Sequence, residues 1–353
     1  GPALFDCAGV DFVVGPDAYS RALPKLIKRE APGLRVVEIS RDPGFRFPAS
    51  DGHAVSSLRA FVSIMKGCSN RCSFCIVPQV RGPAVSRPRS EVLGEVAALV
   101  RRGVREITLI GQNVNAYRDG GRDFAQLLSD VSDGGPDARV RFTTSHPRDM
   151  SPSVIKVMVS KENVCEHIHL PLQSGSDRVL ERMRRGYTRE RYEEIAGAAR
   201  ESVPGVSITT DLIVGFPGET LDDFEQTCEF VERIGFDSSF MFKFSPRAGT
   251  EAAGMDDDVP REEKERRLAA LLNIQRQVSS ERSAALVGSR MEVLVEGEKK
   301  KGGRVFLSGR TRCNRTVLVD GPRERIGEFA RVEITVSKGL SLFARVASTP
   351  SDR

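Results

Sequence analysis

Short apolar runs alternate with amphipathic segments through the middle of the chain. The run from Arg59 to Met65 predicts a strand, and Ser90 to Arg102 predicts a helix that is capped by Ser90 and stopped by Gly103. Five more runs predict strands at Glu106 to Ile110, Arg139 to Thr143, His167 to Leu170, Ser207 to Val214 and Ser239 to Phe244. Helices are predicted between them near Asp123 to Val131, Ser151 to Val159, Ser176 to Arg200 with a break, and Thr220 to Ile234. Strands joined by helical crossovers favour an α/β fold with a parallel sheet, which right-handed crossovers curl into a partial (β/α)6 barrel that is open on one side.

The last part of the chain has a different pattern. A charged helix is predicted from Glu262 to Leu286, and Gly288 is its stop signal. Beyond it, five short runs predict strands at Met291 to Glu296, Val305 to Gly309, Thr316 to Val319, Phe329 to Thr335 and Leu342 to Ala347. Five short antiparallel strands with glycine turns are typical of a small OB-like β-barrel. We therefore predict the α/β barrel at residues 54–286 and the small barrel at residues 287–353.

The charge distribution indicates what the small barrel binds. The net charge of the 353-residue chain is +5, but Gly288 to Ala347 contain 13 Lys and Arg against 7 Asp and Glu. The basic surplus therefore lies in the strand-rich part, and a small basic β-unit is typical of an accessory nucleic-acid-binding module. Aromatic residues that could stack on bases are few there: Phe306, Phe329 and Phe343.

The cysteine distribution and hydropathy indicate the compartment. No run approaches 18 apolar residues, so the sequence predicts no transmembrane helix and no membrane partner. Three of the seven cysteines fall in one motif, and the other four, Cys7, Cys165, Cys228 and Cys313, are scattered. Scattered thiols suit a reducing compartment better than a disulfide framework. We expect a cytoplasmic protein, with an organelle matrix as the alternative.

The cysteine motif follows the first strand of the predicted barrel. Cys68, Cys72 and Cys75 have the spacing C-x3-C-x2-C, with no fourth cysteine nearby. A structural zinc site has four protein ligands, whereas three cysteines can hold a 4Fe-4S cluster and leave one iron open to another ligand. Barrel enzymes carry their active sites at the carboxyl ends of the strands, where this loop is predicted. We expect a 4Fe-4S cluster with an open iron; a zinc site or a coincidence is the alternative.

Polar or glycine-rich residues follow the other predicted strands. Gln112 and Asn113 follow the second strand, and Gln173, Ser174 and Gly175 follow the fourth. Turn residues alone would explain any one of these loops. Together they predict a cavity in which amides and hydroxyls meet a ligand and glycines let the backbone approach it.

Cys165, His167 and His169 alternate along the fourth predicted strand and therefore face one side. A second metal site is one interpretation. Histidines beside a barrel mouth more often complete a hydrogen bond or contact a substrate, and we favour that interpretation.

Longer motifs support a family resemblance from about Val10 to the end of the chain. The chain resembles the radical S-adenosylmethionine methylthiotransferases, and its C-terminal part is similar to the TRAM RNA-binding domain. The Gly-Gln-Asn-Val-Asn and Thr-Thr-Ser-His-Pro segments resemble the tRNA-modifying branch, since the branch that acts on a ribosomal-protein aspartate usually carries Gln-Asp. The motifs are Val14 to Tyr19, the cysteine loop through Gly82, Leu109 to Tyr117, Phe142 to Pro147, His167 to Ser176 and Phe242 to Thr250.

The resemblance implies a cofactor set, a reaction and partners. Cys68, Cys72 and Cys75 would hold the cluster, whose open iron binds S-adenosylmethionine. The reaction would add a methylthio group to carbon 2 of an N6-isopentenyladenosine beside the tRNA anticodon, a loop base that can be splayed out for chemistry. The expected partners are the anticodon stem-loop and an external electron donor, and a monomer is expected. The residues expected to bind S-adenosylmethionine or orient the substrate are Gln112, Asn113, Gln173, Ser174 and Asp211.

The N-terminal part departs from the family pattern. Family members carry an N-terminal domain with three more cysteines that hold an auxiliary 4Fe-4S cluster. This chain has only Cys7 ahead of the barrel, and the residues around Cys7 do not match that pattern. We interpret residues 1–53 as the C-terminal remnant of that domain, and we expect this chain to hold one cluster.

Two other functions stay open at this point. One is methylthiolation of another target, either a threonylcarbamoyl-adenosine in tRNA or a ribosomal protein. The other is a non-catalytic RNA-binding protein that keeps an iron-sulfur cluster as a structural element.

Overall fold

The computed structural model describes residues 56–339 and 341–347, together with residues 10, 12–18, 22, 36–40, 45, 47 and 53–54. The sequence-based interpretation of residues 1–53, including Cys7, falls largely outside these residues. Within them, strands β1 (Phe12–Val14) and β2 (Val36–Glu38) pair in parallel. The Lys66 ammonium group is paired with the Asp17 carboxylate, and this contact ties the N-terminal piece to the barrel.

Six parallel strands form the predicted partial barrel. Strands β10, β7 and β4 pair in that order, β11, β12 and β13 form a second run, and a parallel bridge between Val140 and Val164 lies between the two runs. Among the described residues, β13 does not pair with β4 or with its antiparallel neighbour β3, so the barrel is open there, as expected. The strands are β3 (His53–Ala54), β4 (Arg59–Ser63), β5 (Met65–Lys66), β6 (Val85–Ser86), β7 (Glu106–Ile110), β8 (Arg118–Asp119), β9 (Arg122–Asp123), β10 (Arg139–Phe142), β11 (His167–His169), β12 (Ser207–Val214) and β13 (Ser238–Lys243).

The predicted helices are present, and the predicted cap of one of them differs. The predicted cap Ser90 is wrong, because the Asp119 carboxylate accepts the Arg89 amide at 2.7 Å and the helix begins one residue earlier. The predicted break in the fourth segment follows Arg182, where the first helix ends; Arg184 and Gly186 then have φ values of +53° and +68° before Thr188 caps the next helix. No helix of the described ranges is both long and apolar enough to cross a bilayer. The helices are α1 (Val77–Val80), α2 (Arg89–Arg101), α3 (Phe124–Gly134), α4 (Pro152–Ser160), α5 (Asp177–Arg182), α6 (Arg189–Ser202), α7 (Leu221–Ile234) and α8 (Arg261–Ala284).

The two faces of the parallel sheet have different environments. Alternate residues such as Val62, Leu109 and Leu212 are fully buried in the core that the sheet shares with the helices. The intervening residues, such as Thr108 and Asp211, face the inside of the barrel and are partly exposed. Because strand side chains alternate, the same segments build a core on one side and leave a polar interior on the other.

The C-terminal unit is the predicted five-stranded barrel. It is closed, in the order β14-β15-β16-β18-β17. The prediction of antiparallel strands holds for every pair except β16 and β18, which are parallel. Its core contains Val293, Val317, Val332 and Ile334. The first strand is longer than predicted, because it continues through Lys301 and turns at Gly302 and Gly303. The strands are β14 (Arg290–Lys301), β15 (Arg304–Thr311), β16 (Thr316–Asp320), β17 (Phe329–Lys338) and β18 (Ser341–Val346).

The hairpin between β15 and β16 closes the amino end of the α/β barrel. Arg141 in β10 donates to the Thr311 and Arg312 carbonyls at 2.7 and 2.6 Å, and its Nε lies 2.8 Å from the Glu106 carboxylate. Arg312 in turn pairs with Glu166. These barrel residues lie at or near the starts of their strands, so the small barrel lies at the end opposite the cysteine loop.

This interface provides a stability prediction. Arg141→Met leaves the buried Glu106 carboxylate without its cation, which is expected to lower the free energy of unfolding by about 3 to 5 kcal/mol, measured by urea denaturation. The matched control is Arg345→Ala, since Arg345 pairs with Glu333 on the surface and should cost about 0 to 1 kcal/mol. Adding Glu106→Leu to Arg141→Met should recover part of the loss. Equal effects of Arg141→Met and Arg345→Ala would contradict the interface.

Candidate functional site

The cysteine loop is anchored where it leaves the barrel. Gly67 has a φ of +75°, and a Cβ there would lie 2.0 Å from the Pro83 carbonyl oxygen, so only glycine fits. The Gly67 amide donates to Gln112 Oε1 at 2.7 Å, and the Cys68 amide donates to the Gly82 carbonyl at 3.1 Å. Gln112, predicted to bind a ligand, thus uses its side-chain oxygen to hold the loop.

Ser73 fixes the other half of the loop. Its amide donates to the Met183 carbonyl at 3.0 Å, and its hydroxyl donates to the Arg182 carbonyl at 2.9 Å. Its own carbonyl accepts the Ala252 amide at 2.8 Å. The loop is therefore held by the end of α5 and by the segment after β13, two regions far apart in sequence.

The three predicted cluster ligands lie in this loop, partly exposed. Burial raises the pKa of Cys68, a hydrogen bond from the Asn70 backbone lowers it, and the charges of Cys72 and Cys75 in the same loop raise it again. In the described part of the chain, no group of three or more His, Cys, Asp or Glu side chains is placed as the ligands of a single metal ion would be. In a 4Fe-4S cube each thiolate binds a different iron, so a cluster needs wider spacing than one ion. Three nearby thiols without a fourth ligand fit the cluster better than zinc.

A buried guanidinium points at one of these sulfurs. Arg185 Nη1 lies 3.3 Å from Cys72 Sγ, while Nη2 donates to the Pro171 carbonyl at 2.7 Å and Nε donates to the Tyr187 hydroxyl at 3.0 Å. Arg185 is only 4% exposed. Three fixed contacts leave the group little freedom, so its charge is directed at the Cys72 ligand, to which it can give a charge-assisted hydrogen bond.

His146 approaches the same sulfur from the third strand end. Its Nδ1 accepts the Arg148 amide at 3.2 Å, and its Nε2 lies 3.9 Å from Cys72 Sγ. Burial, and then the positive charge of Arg185, lower the pKa of His146 to about 3, so the ring is neutral. Because Nδ1 accepts a hydrogen bond, the single ring proton is on Nε2, facing Cys72.

Asp149 organises the asparagines beside the loop. Its Oδ2 accepts from Asn113 Nδ2 at 2.6 Å and from Asn70 Nδ2 at 3.2 Å. Burial would raise the pKa of Asp149, but these hydrogen bonds and the nearby Arg148 outweigh it and hold the pKa below its usual value. Asn113 Oδ1 and Ser145 Oγ are buried and have no hydrogen-bond partner among the described residues. Such atoms suit a site that awaits a polar ligand.

The remaining predicted residues divide into two groups. Asp211 is partly exposed inside the barrel, with its Oδ2 3.5 Å from His169 Nε2. Gln173 extends the sheet through backbone hydrogen bonds to Asp211 and Ile213, with a φ of +79°. A non-glycine residue in that conformation is typical of functional sites. Both remain candidates for ligand contact.

Ser174 and Gly175 have structural surroundings. Ser174 is fully buried, and its hydroxyl accepts the Ser176 amide at 3.2 Å. A Cβ at Gly175 would lie 2.6 Å from the Thr227 Cα, so this glycine lets the loop pack against α7. The structure gives the Ser174 hydroxyl a partner within the protein, so its predicted contact with a ligand stays a prediction, and the close approach at Gly175 is to α7.

The alternating residues of the fourth strand form hydrogen bonds, as favoured above. His167 Nε2 and His169 Nδ1 lie 3.1 and 3.0 Å from the Thr209 hydroxyl. Cys165 is buried near Arg141, at the amino end of the barrel. Within the described ranges these residues form no metal-binding group.

Sequence reasoning missed four residues of this site: Asn70, Asp149, Arg185 and Tyr187. The signal for Arg185 was weak, since Arg184 and Arg185 form an ordinary basic pair in a helix break. Only the structure separates them, because Arg184 pairs with Glu251 on the surface while Arg185 is buried.

The small barrel has a basic groove on its outer surface. The groove is lined by Lys299, Lys301, Thr316, Leu318 and Ser341. The Lys301 ammonium group lies 5.1 Å from the centre of the Phe343 ring, and the Phe306 ring is 5.6 Å from Phe343 in an edge-on arrangement. Lysines beside aromatic rings are the combination that binds single-stranded nucleic acid. Phe329 is excluded from this surface, because Arg139 lies over its ring at the interface with the α/β barrel.

Two protein-family models match the chain. The radical SAM superfamily matches residues 62–231, and the TRAM domain matches residues 284–347. Among solved structures, the coproporphyrinogen III oxidase of Escherichia coli, a radical SAM enzyme, is similar with a TM-score of 0.48 and 18% identity over 65% of this chain and 54% of that one.

Curated relatives are much more similar in sequence. The tRNA-2-methylthio-N(6)-dimethylallyladenosine synthase of Chlorobium limicola is 46% identical over 341 residues, which cover 96% of this chain and 76% of that protein. The protein of the same name from Carboxydothermus hydrogenoformans is 44% identical over 336 residues, 93% of this chain and 75% of that protein. Identity of this extent, with the cysteine loop in place, shows that the chain belongs to the radical SAM family of tRNA-2-methylthio-N(6)-dimethylallyladenosine synthases.

Proposed function

We propose that this protein adds a methylthio group to carbon 2 of an N6-dimethylallyladenosine beside the anticodon of tRNA. The single observation that carries the proposal is the three-cysteine loop at the carboxyl end of an open barrel, with Arg185 directed at Cys72. The shared name of the relatives supports this target over the threonylcarbamoyl and ribosomal-protein targets.

Cys68, Cys72 and Cys75 would hold the 4Fe-4S cluster. When bound, the cluster supplies the electron that cleaves S-adenosylmethionine. Arg185 and His146 direct N–H groups at the Cys72 sulfur, and Gln112 holds the loop in position through the Gly67 amide.

Unpartnered polar atoms beside the loop are the candidates to bind S-adenosylmethionine. Asn113 Oδ1 and Ser145 Oγ can meet its polar groups, and Asp149 orients Asn113 by accepting from its Nδ2. Gln173 and Asp211 would contact S-adenosylmethionine or the substrate base from the inner face of the barrel.

The positions of the two domains set the size of the RNA partner. The cysteine loop and the small barrel lie at opposite ends of the parallel strands, of which the longest, β12, has 8 residues and spans roughly 25 Å at about 3.3 Å per residue. An RNA that contacts both the cysteine loop and the small barrel must therefore extend beyond a single loop of nucleotides. An anticodon stem-loop meets this requirement. The proposal includes an external electron donor, a monomer and a cytoplasmic location. That this chain holds one cluster stays a prediction.

Removal of any cluster ligand should abolish the first chemical step. Cys68→Ala, Cys72→Ala and Cys75→Ala are each expected to lose bound iron and all formation of 5′-deoxyadenosine from S-adenosylmethionine, measured by iron analysis and chromatography. The matched control is Cys228→Ala. Cys228 lies in α7, where it packs against the main core, and it is far from the cysteine loop in sequence. Normal 5′-deoxyadenosine yield from Cys72→Ala would refute the cluster assignment, whereas no 5′-deoxyadenosine from the iron-loaded wild type would favour the non-catalytic alternative.

Arg185 should raise the reduction potential of the cluster. A positive charge and a hydrogen bond at a ligand sulfur favour the reduced state, so Arg185→Met should lower the midpoint potential by on the order of 50 mV, close to the 59 mV of a tenfold change in a one-electron equilibrium. Arg185→Lys, which keeps the charge, should shift it less. Spectroscopic redox titration measures both, with iron content as the check on assembly. Equal potentials in the wild type and Arg185→Met would contradict this role.

The basic groove should produce a salt-dependent affinity for tRNA. Each lost phosphate contact reduces the slope of log affinity against log salt by roughly 0.7 to 0.9. Lys299→Ala combined with Lys301→Ala should therefore flatten the slope measured by filter binding. Lys156→Ala, on the exposed face of α4, is the control and should leave the slope as it is. An unchanged slope in the double variant would show that the groove does not hold RNA.

A further inference from the structure

Two phenylalanine rings are exposed on the inner face of β13. Phe240 and Phe242 are 64% and 55% exposed, and Phe240 is the most exposed large hydrophobic residue in the part of the chain that the structure describes. Met241, between them, packs against the main core. Because strand side chains alternate, the two rings point into the barrel interior. Neighbouring exposed aromatic rings are typical of a binding surface.

The rings lie beside the opening of the barrel. Asp211 is in register with Phe240, and Ile213 is in register with Phe242, so the rings continue the inner surface of β12 to the barrel's last strand. On the first parallel strand, Phe61 is 49% exposed. It is in register with Thr108, which places it on the inner face as well. Exposed phenylalanines therefore lie on the inner faces of the first and the last parallel strand, and β3 is the edge strand between β4 and the opening.

Polar groups adjoin this apolar wall. The His169 ring lies edge-on to Phe240, with 6.4 Å between ring centres. His169 Nε2 lies 3.5 Å from Asp211 Oδ2, and the carboxylate is 27% exposed. His169 is held from its other side by the Thr209 hydroxyl at 3.0 Å. The surface thus combines an aromatic wall with a carboxylate acceptor and an imidazole.

That combination fits a heteroaromatic ligand that carries an apolar branch. The two rings offer faces and edges for a base and a branched alkyl group. Asp211 can accept a hydrogen bond from an amine N–H next to that group. An adenine alkylated on its exocyclic nitrogen has both features, whereas a base with a negatively charged branch would place that charge against the two phenylalanines and beside the Asp211 carboxylate.

We propose that Phe240 and Phe242 receive the dimethylallyl group of the substrate adenosine and select tRNA that carries it, while Asp211 and His169 meet the polar edge of the base. The inference rests on the proposed function, which it extends from the reaction to the choice of substrate. One methylene in a hydrophobic pocket changes specificity by about 10- to 200-fold. Loss of one ring is therefore expected to reduce the preference for the prenylated RNA by at least about tenfold.

The test uses the reconstituted full chain and two anticodon stem-loop RNAs that differ only in the dimethylallyl group. Dissociation constants and methylthiolated product are measured for the wild type, Phe240→Ala, Phe242→Ala and Phe240→Leu. Val159→Ala, an exposed apolar residue on α4, is the control and should keep the full preference. Iron content and the unfolding midpoint report whether each variant is assembled.

Support requires weaker binding of the prenylated RNA in both alanine variants, little change for the unprenylated RNA, and a partial effect of Phe240→Leu. Equal weakening for both RNAs would overturn the inference, because the rings would then contact parts that the two RNAs share. A retained preference with a lowered unfolding midpoint would overturn it in favour of another protein segment covering the wall. If the wild type methylthiolates the prenylated RNA but the variants keep the preference, only this inference fails. If the wild type forms no 5′-deoxyadenosine from S-adenosylmethionine, the proposed function fails with it.

Discussion

Parallel pairing of the six barrel strands is the constraint on which the rest of the structure depends. It places every strand start at one end and every strand end at the other. The carboxyl ends carry the cysteine loop, His146 and Gln173, while the amino ends carry Glu106 and Arg141 and receive the small barrel. The cysteine loop and the interface with the small barrel are therefore separated by the length of a strand.

Buried arginines connect the parts at both ends. Arg141 at the amino end and Arg185 at the carboxyl end each donate to backbone carbonyls while their charge faces an anionic or ionisable partner, Glu106 or Cys72. The guanidinium group suits this role because it has five fixed donors and stays charged when buried. A lysine in either place would present a single charge and would leave carbonyls unpaired.

Sequence reasoning located the elements accurately where a local pattern determines them. Glu106–Ile110 and Ser207–Val214 match their predicted bounds, because short segments rich in β-branched Ile, Val and Thr between turns favour strands. Sequence reasoning failed where a side chain that is distant in sequence determines the local structure. The Asp119 carboxylate accepts the Arg89 amide at the start of α2, and Gly175 is needed because its loop packs against Thr227 of α7. In each case the two residues are far apart in sequence.

The candidate site shows the same division. The sequence by itself determined the three-cysteine motif, the open barrel, the basic β-barrel and the family, because short spacing, periodicity and composition are local properties of a chain. Only the tertiary structure decided that Ser174 is buried, that Arg185 and not Arg184 faces Cys72, that the small barrel lies at the amino end, and that Phe240 and Phe242 face the interior. These facts depend on which segments pack together, and long-range packing leaves no signature in any one stretch of sequence.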